Sequence, residues 1–314
     1  STYFGGGGGG GSYNIGTNQN NVAGFRTGNG LVQITVLTVA GEALDFDGVD
    51  DVALGAAPNM QNTDFTIEFW AKRRTASTTE GMFLIGTDGI NNGAIFMYMF
   101  NNGGLSFGFW GNDLVINQGS GQYQDLLWHH YALTYNTTTN RRTVYRDGVQ
   151  IGTDIATADF TGNTSFMVGQ FGGHSRTDGS IDEFRIWNRE LCQSEIQNNM
   201  SCEIPTTGSG LLRNFHFNHG VAGGVNAGVT SLVDYSVSAS NLTVTNCALT
   251  GATSNWIAPG GVATGTTCGV FVNGINGTLS SQGNVTCFGG ANGSATVSAT
   301  GVSPYYYAWA PSGG

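Results

Sequence analysis

The sequence predicts an all-β chain built as a sandwich of two antiparallel sheets, with a small immunoglobulin-like β repeat at its C-terminal end. Three observations predict it. Short runs alternate apolar and polar residues with a period of two. In 65–71, Phe65, Ile67 and Phe69 face one way while Thr66, Glu68 and Trp70 face the other. Turn signals separate such runs: Asp88-Gly89, Asn92-Gly93, Asn102-Gly103-Gly104, Asp147-Gly148 and Gly172-Gly173. The composition, 51 glycines and 10% charged residues in a chain of 314, suits short strands and many turns and leaves little for long charged helices.

The segment 1–40 opens on seven consecutive glycines, Gly5 to Gly11, which have no side chains to pack. It ends in a predicted strand at 31–36. The segment 41–202 carries the densest strand signals. Beyond 65–71 these are 94–100, 105–110, 114–117, 128–135, 143–146, 165–170 and 181–187. One helix is predicted over 189–200, where Leu191, Glu195, Ile196 and Asn199 follow helical spacing. The segment 203–267 reads as a β-rich extension or linker, either strands docked on the sandwich or a small separate unit. In 268–314, the stretches 295–299 and 305–309 alternate like strands.

Charge and hydropathy exclude two classes of partner. Eleven basic residues against 21 acidic ones leave a net charge of −10, which repels nucleic acid. The longest apolar run, 94–100, is far short of the roughly 20 residues a membrane span needs, so no membrane insertion is expected. The chain starts inside a glycine run and stops in what reads as mid-domain, as an excised piece of a longer protein would. Five cysteines cannot all pair within it. Cys192 and Cys202, close in sequence, are the expected disulfide. Cys247 and Cys268 are a candidate second pair, which leaves Cys287 over. Structural disulfides fit a secreted chain.

Five motifs in 43–191 carry a resemblance. ALDFDGVDDVAL (43–54), FTIEFWAKRR (65–74), WHHYALTYN (128–136), VYRDGVQIGT (144–153) and GSIDEFRIWNREL (179–191) occur in that order. They resemble the laminin-G-like domain, a concanavalin A-like jelly-roll sandwich. One departure is Val52, where that family usually has an aromatic residue. The opening glycine-rich stretch resembles the end of bacterial glycine-rich surface domains. The stretch VTCFGGANGSATVSATGVSPYYYAWAPSGG (285–314) resembles an SprB-type adhesin repeat. By that pattern Tyr305, Tyr306 and Trp309 belong to the repeat's own core. Together they make the chain similar to a secreted surface protein of Bacteroidetes.

Candidate site residues follow. Asp47, Asp50 and Asp51 lie within five residues, and calcium takes six to eight oxygen ligands. The resemblance implies a calcium site here, with Asp182 contributing from the far end of the domain. Asp182 is expected to share the face of Phe184 and Ile186, where a carboxylate needs a partner. The competing reading is that these aspartates cap turn N–H groups. Catalysis is not expected. Asp182 and Glu183 are adjacent on a strand and point to opposite faces, so they cannot flank a glycosidic bond. His129 and His130 are adjacent too, and no nucleophile motif accompanies them. One of these two histidines is expected to be hydrogen-bonded near the core. Sugars stack on flat rings, and Trp70, Tyr98, Trp110 and Tyr123 are aromatics on strands or loop edges. Trp70 is the expected stacking residue, because its companions on that face are polar. His174 and Arg176, in a predicted loop, are the expected donors. The expectation is a non-catalytic binding or adhesion module, secreted or on the cell surface, that recognises a polysaccharide or glycoprotein glycans. The rivals are a ligand-free stalk and an accessory part of a polysaccharide-degrading enzyme.

Overall fold

The computed structural model describes residues 41–117, 119, 121–262 and 267–268, and the backbone of two strands at 276–283 and 294–300. All of them belong to the compact unit that begins at Thr38. The glycine-rich segment 1–40, with its predicted strand at 31–36, lies outside the described residues. So do Cys287, Tyr305, Tyr306 and Trp309.

Numbered in chain order, one eight-stranded sheet, sheet A, contains β1 (Ala43–Asp47), β3 (Phe65–Arg73), β8 (His129–Asn136), β9 (Arg141–Arg146), β10 (Val149–Ile155), β14 (Asp178–Trp187), β15 (Leu211–Phe215) and β18 (Trp256–Ile257). The other, sheet B, contains β2 (Val52–Ala56), β4 (Glu80–Gly86), β5 (Ala94–Met99), β6 (Leu105–Phe109), β7 (Asn112–Ile116), β11 (Ser165–Val168), β16 (Ser231–Leu232) and β17 (Leu242–Thr245). Their spatial orders are β10-β9-β8-β3-β14-β1-β18 and β16-β17-β2-β11-β4-β5-β6-β7, with β15 also on β14. The chain crosses repeatedly between the sheets, in the manner of a jelly roll. Two-residue strands β12 (Gln170–Phe171) and β13 (Ser175–Arg176) form a separate hairpin. Near the C-terminus, β19 (Asn276–Gly283) pairs with β20 (Ser294–Thr300).

Strand alternation builds the core. Phe65, Ile67 and Phe69 of β3, Phe83 and Ile85 of β4, Phe107 and Phe109 of β6, and Phe184 and Ile186 of β14 meet between the sheets. Phe69 stacks on Phe184 at 5.2 Å, and Phe83 meets both rings edge-on at 5.5 and 5.2 Å. Each such buried side chain contributes on the order of 1.5–3 kcal/mol. The Asp147-Gly148 signal becomes the tight turn between β9 and β10, with both residues at positive φ, 53° and 71°.

Four features differ from expectation, each for a physical reason. The helix α1 spans Gln193–Asn199, four residues shorter at its start than predicted. The Thr66 hydroxyl accepts the Leu191 N–H and donates to the Arg189 carbonyl, both at 2.9 Å, which ties the approach to the sheet. Glu195 then caps the helix by accepting the Cys192 N–H.

Strand β14 bulges between Asp182 and Arg185, with Glu183 at φ 48°. The extra residue resets the alternation. Ile181, Phe184 and Ile186 therefore face the core, whereas Asp182 does not share their face as expected. The bulge lies where the neighbour of β14 changes from β1, paired up to Ile181, to β15, paired from Phe184.

The disulfide joins Cys202 to Cys268, not Cys192 to Cys202, and Cys247 does not pair with Cys268. A parallel bridge between Glu203 and Thr267 lays the two chain segments side by side, and the Cys268 N–H donates to the Glu203 carbonyl at 2.8 Å. Cys192 lies at the opposite end of α1, exposed, with its thiol beside the Ser194 hydroxyl.

The segment 203–262 is docked on the sandwich. It supplies β15 and β18 to sheet A and β16 and β17 to sheet B.

Candidate functional site

The outer faces of the two sheets are built differently. On sheet A the outer residues are charged and aromatic: Glu68, Trp70, His130, Arg185 and Trp187. All of these but Trp70, which stays half-buried, are buried beneath the helix α1 and the loop that follows it. Arg185 is fully buried. It donates to the Asn199 carbonyl at 2.8 Å, to Glu183 at 2.8 Å, to Glu68 at 3.4 Å and to the Cys202 carbonyl. The Trp187 indole N–H donates to Glu68 at 3.1 Å. His216 Nδ1 lies 2.9 Å from Glu183 Oε1. Burial alone would raise the Glu68 carboxyl, but His130 and Arg185 beside it outweigh that and hold it below the ordinary range.

Trp70, the expected stacking residue, lies on this face and is half-buried, with its ring held by neighbouring segments. Its indole N–H donates to the Met200 carbonyl at 2.6 Å, and its ring meets His130 edge-on at 5.6 Å. Gly261 presses so close that a Cβ there would sit 2.5 Å from the ring. His130 is buried beneath, while His129 is half-buried between Asp147 at 2.6 Å and Asp125 at 3.0 Å.

Asp182 is buried and accepts the N–H groups of Glu183 and Gly261 at 2.8 Å and of Val262 at 3.2 Å. Burial and the neighbouring Glu183 charge raise its carboxyl well above the ordinary range. It does not join the other predicted ligands. It pairs in register with Trp70, four residues along β14 from the Asp178 that faces Asp47, a separation of about 13 Å at the rise of a strand. Its role is to fasten the 260–262 loop across the bulge. Asp182, Glu183 and Glu68 are all closed to solvent, so none is placed to protonate or attack a glycosidic bond.

Asp47, Asp50 and Asp51 do come together, each offering an oxygen within 4.8 Å of the others. Asp51 accepts from the Ser254 hydroxyl at 2.7 Å and from the Asp47 N–H at 2.8 Å, and Asp47 accepts from the Val49 N–H at 2.8 Å. Turn capping therefore occupies part of the cluster. Burial raises the Asp51 carboxyl, and the Asp47 charge adds to the rise. Three converging carboxylates form a donor set that fits a hard cation such as calcium.

On sheet B the outer face is aromatic and partly open. In β5, Ile95, Met97 and Met99 face the core, which turns Phe96 and Tyr98 outward. The β12–β13 hairpin lies against this face. Phe171 stacks on Phe96 at 4.4 Å and meets Tyr98 edge-on at 4.9 Å. Trp110, at the end of β6, packs on Phe171 at 5.5 Å and on His174 at 5.0 Å. Trp110 and Tyr98 stay half-buried, whereas Phe171 is sealed. His174 is exposed and its Nε2 lies 3.2 Å from Asp88. The register runs Phe96 to Gly108 to Asp113 across three strands, which brings the exposed Asp113 of β7 to the same face. Gly108 has to be small, since a Cβ there would lie 2.8 Å from the Asp113 backbone. Burial, with the charges of Asp88 and Asp113, pushes the Tyr98 hydroxyl up to about 12. The result is an aromatic platform, Trp110 and Tyr98 walled by His174, with two carboxylates at its rim.

Of the predicted donors, His174 is part of the platform and Arg176 is not. Arg176 is paired with Gln170, one residue from Phe171, so it projects to the other side of the hairpin. There it donates to the Val49 carbonyl at 2.9 Å and to Gln170 at 2.6 Å. Sequence reasoning named Tyr98 and Trp110 without choosing them, and missed Asp113 and Phe171. The alternation of β5 is the signal that points to Tyr98.

Fold and faces together define a jelly-roll β-sandwich. Residues 46–197 match the family model described as the concanavalin A-like lectin/glucanases superfamily. Among solved structures, the chain is similar to a protein of Bacteroides ovatus described as carbohydrate-binding, with 16% identity, a TM-score of 0.50, and 71% of this chain and 62% of that one covered. It is also similar to a heptameric pentraxin of Limulus polyphemus, with 16% identity, a TM-score of 0.39, and 52% and 83% covered. In sequence, 118 residues are 28% identical to neuronal pentraxin-2 of Cavia porcellus, which covers 32% of this chain and 28% of that protein. The chain thus spans less than two thirds of the Bacteroides protein and less than a third of the pentraxin-2.

Proposed function

We propose that this chain is a non-catalytic binding module of a secreted, cell-surface protein, and that its sheet B platform holds a ring of a polysaccharide or glycoprotein glycan. The observation that carries the proposal is the half-buried pair Trp110 and Tyr98, braced from behind by Phe171 and Phe96. A rigid, pre-positioned ring stacks on the apolar face of a sugar without first losing side-chain freedom. Asp88, Asp113, the Tyr98 hydroxyl and His174 are the groups at hand for sugar hydroxyls. The Cys202–Cys268 disulfide supports an extracellular setting, and the likeness in fold to a Bacteroides protein described as carbohydrate-binding fits a glycan ligand.

The test is affinity electrophoresis of the full chain against a panel of polysaccharides. Trp110→Ala should weaken binding by about tenfold or more, as removal of a central aromatic anchor does, with the circular dichroism spectrum unchanged. Binding that survives the substitution places the site elsewhere. Retardation by no polysaccharide favours the ligand-free stalk, and release of reducing sugar favours an enzyme.

We also propose calcium at Asp47, Asp50 and Asp51, without Asp182. The supporting observation is the convergence of three carboxylates at the end of β1. At free calcium about 100 times the dissociation constant, binding stabilises the fold by about 2.7 kcal/mol. Addition of EDTA should therefore lower the melting temperature, and Asp50→Asn should abolish that response. A melting curve unmoved by EDTA leaves the three aspartates as turn caps.

A further inference from the structure

The charge around the platform is one-sided. Asp88 and Asp113 both act on Tyr98, and both are exposed at the rim. Asp88 faces His174. The basic group that acts on Asp113 is Arg142, and its charge is already used. Its guanidinium is 1% exposed and donates to Asp154 at 2.9 and 2.5 Å and to the Asn112 carbonyl. Arg142 also lies over the core face of Phe109, not over a platform ring. Arg176 donates to the Val49 and Gly172 carbonyls and to Gln170, and projects from the other side of the hairpin. Among the described residues, the arginines that lie over aromatic rings cover Phe109, Tyr123 and Trp187, none of which is on the platform. The whole chain adds a net charge of −10 to this local field.

A sugar stacked on Trp110 and Tyr98 brings its substituents to these two carboxylates. Hydroxyl and amide groups donate hydrogen bonds to them, and a charged donor makes a stronger one. A protonated amine also gains from the negative faces of the two rings. A carboxylate or sulfate does the reverse, because it meets like charge and, among the described residues, no open guanidinium to pair with. We infer that the platform selects by charge, taking uncharged or amine-bearing sugars and turning away uronate- and sulfate-bearing ones. The inference rests on the platform's being the glycan site.

The experiment sets the full chain against an uncharged panel (laminarin, galactomannan, arabinan and xylan), against chitosan, and against alginate, polygalacturonate and fucoidan. Each is run with the parent chain, Trp110→Ala, Asp113→Asn, and Asp88→Asn with Asp113→Asn. At about 20 mM salt, Trp110-dependent binding is expected for one or more uncharged or amine-bearing polysaccharides and at least about tenfold weaker for every acidic one. Raising salt to about 0.5 M should narrow that gap, because screening shortens the reach of the repulsion. Asp113→Asn alone, on the exposed edge strand, should also narrow it, and the double substitution should narrow it further. Trp110-dependent binding to alginate, polygalacturonate or fucoidan as tight as to the best uncharged glycan overturns the charge selection and leaves the platform standing. Binding indifferent to Trp110→Ala, or absent throughout, overturns the platform and the selection with it.

Discussion

The outer faces of sheets A and B carry similar residue types and reach opposite ends. Sheet A places Glu68, His130, Arg185 and Trp187 beneath α1 and the disulfide-tied loop, with Trp70 half-buried at their edge, and Trp70, Arg185 and Trp187 donate to acceptors inside the protein. Sheet B and its adjoining loops place Tyr98, Trp110, Asp88 and Asp113 beside the hairpin 170–176, whose Phe171 stacks on the buried Phe96 while Tyr98 and Trp110 stay half-buried and His174 exposed. A charged or aromatic side chain on a sandwich is thus structural or functional according to what lies over it. On sheet A the buried charges are mutually dependent: Arg185 neutralises two carboxylates and ties down two carbonyls. On sheet B the rim residues Asp88, Asp113 and His174 are exposed.

That contrast can be broken most directly at Arg185. Arg185→Leu leaves Glu68 and Glu183 buried without their cation, and should cost about 3–5 kcal/mol in urea unfolding. The equivalent blow to sheet B, Asp113→Asn, should cost less than about 0.5 kcal/mol. Equal losses would mean that both faces are structural.

The cover itself is tested next. Cys268→Ser removes a bridge between positions 66 residues apart, and should lower stability by about 4 kcal/mol on the chain-entropy account. Cys192→Ser should change nothing measurable. In mass-spectrometric thiol labelling of the native protein, Cys192 should react and Cys202 and Cys268 should not. Labelling of Cys268 with protection of both Cys192 and Cys202 would restore the Cys192–Cys202 pairing.

A smaller effect sharpens the comparison from the seam between the sheets. Glu80 is buried against Arg73 at 2.9 Å. Burial pushes its carboxyl from 4.5 up to about 7, with Arg73 opposing. The folded state then holds a proton that the unfolded state has lost. Stability contributed this way is complete below pH 4.5 and is lost as the pH rises through 7. The loss is on the order of 3 kcal/mol, and Glu80→Gln should flatten that part of the profile of unfolding free energy against pH. A profile unchanged by the substitution would assign the slope to other carboxyls.

Legibility in the sequence followed the range of the interactions involved. The β3 pattern of Phe65, Ile67 and Phe69 against Thr66, Glu68 and Trp70 needed only a period of two, and the structure has the same two faces. The Asp147-Gly148 turn was equally local. Asp182 was misplaced because one extra residue, Glu183 at positive φ, shifts the alternation, and the pattern of apolar residues in 181–187 gives no sign of it. Cys192 was chosen over Cys268 because closeness in sequence was the available guide, whereas the bridge is set by the pairing of Glu203 with Thr267. Trp70 was chosen over Trp110 because polar companions mark an outer face without showing what covers it.

What the sequence by itself determined is the inward half of each strand: which side chains enter the core, where the chain turns, and hence the two-sheet sandwich. The physical cause is local, since the pleat alternates every residue and apolar burial rewards one side. Only the tertiary structure decided the outward half. Whether a side chain that faces away from the core meets water or another part of the protein depends on segments far off in the chain. Arg185 meets the carbonyls of Asn199 and Cys202, and Trp70 meets Met200 and Gly261. Trp110, whose distant partners Phe171 and His174 brace it without sealing it, keeps an open side.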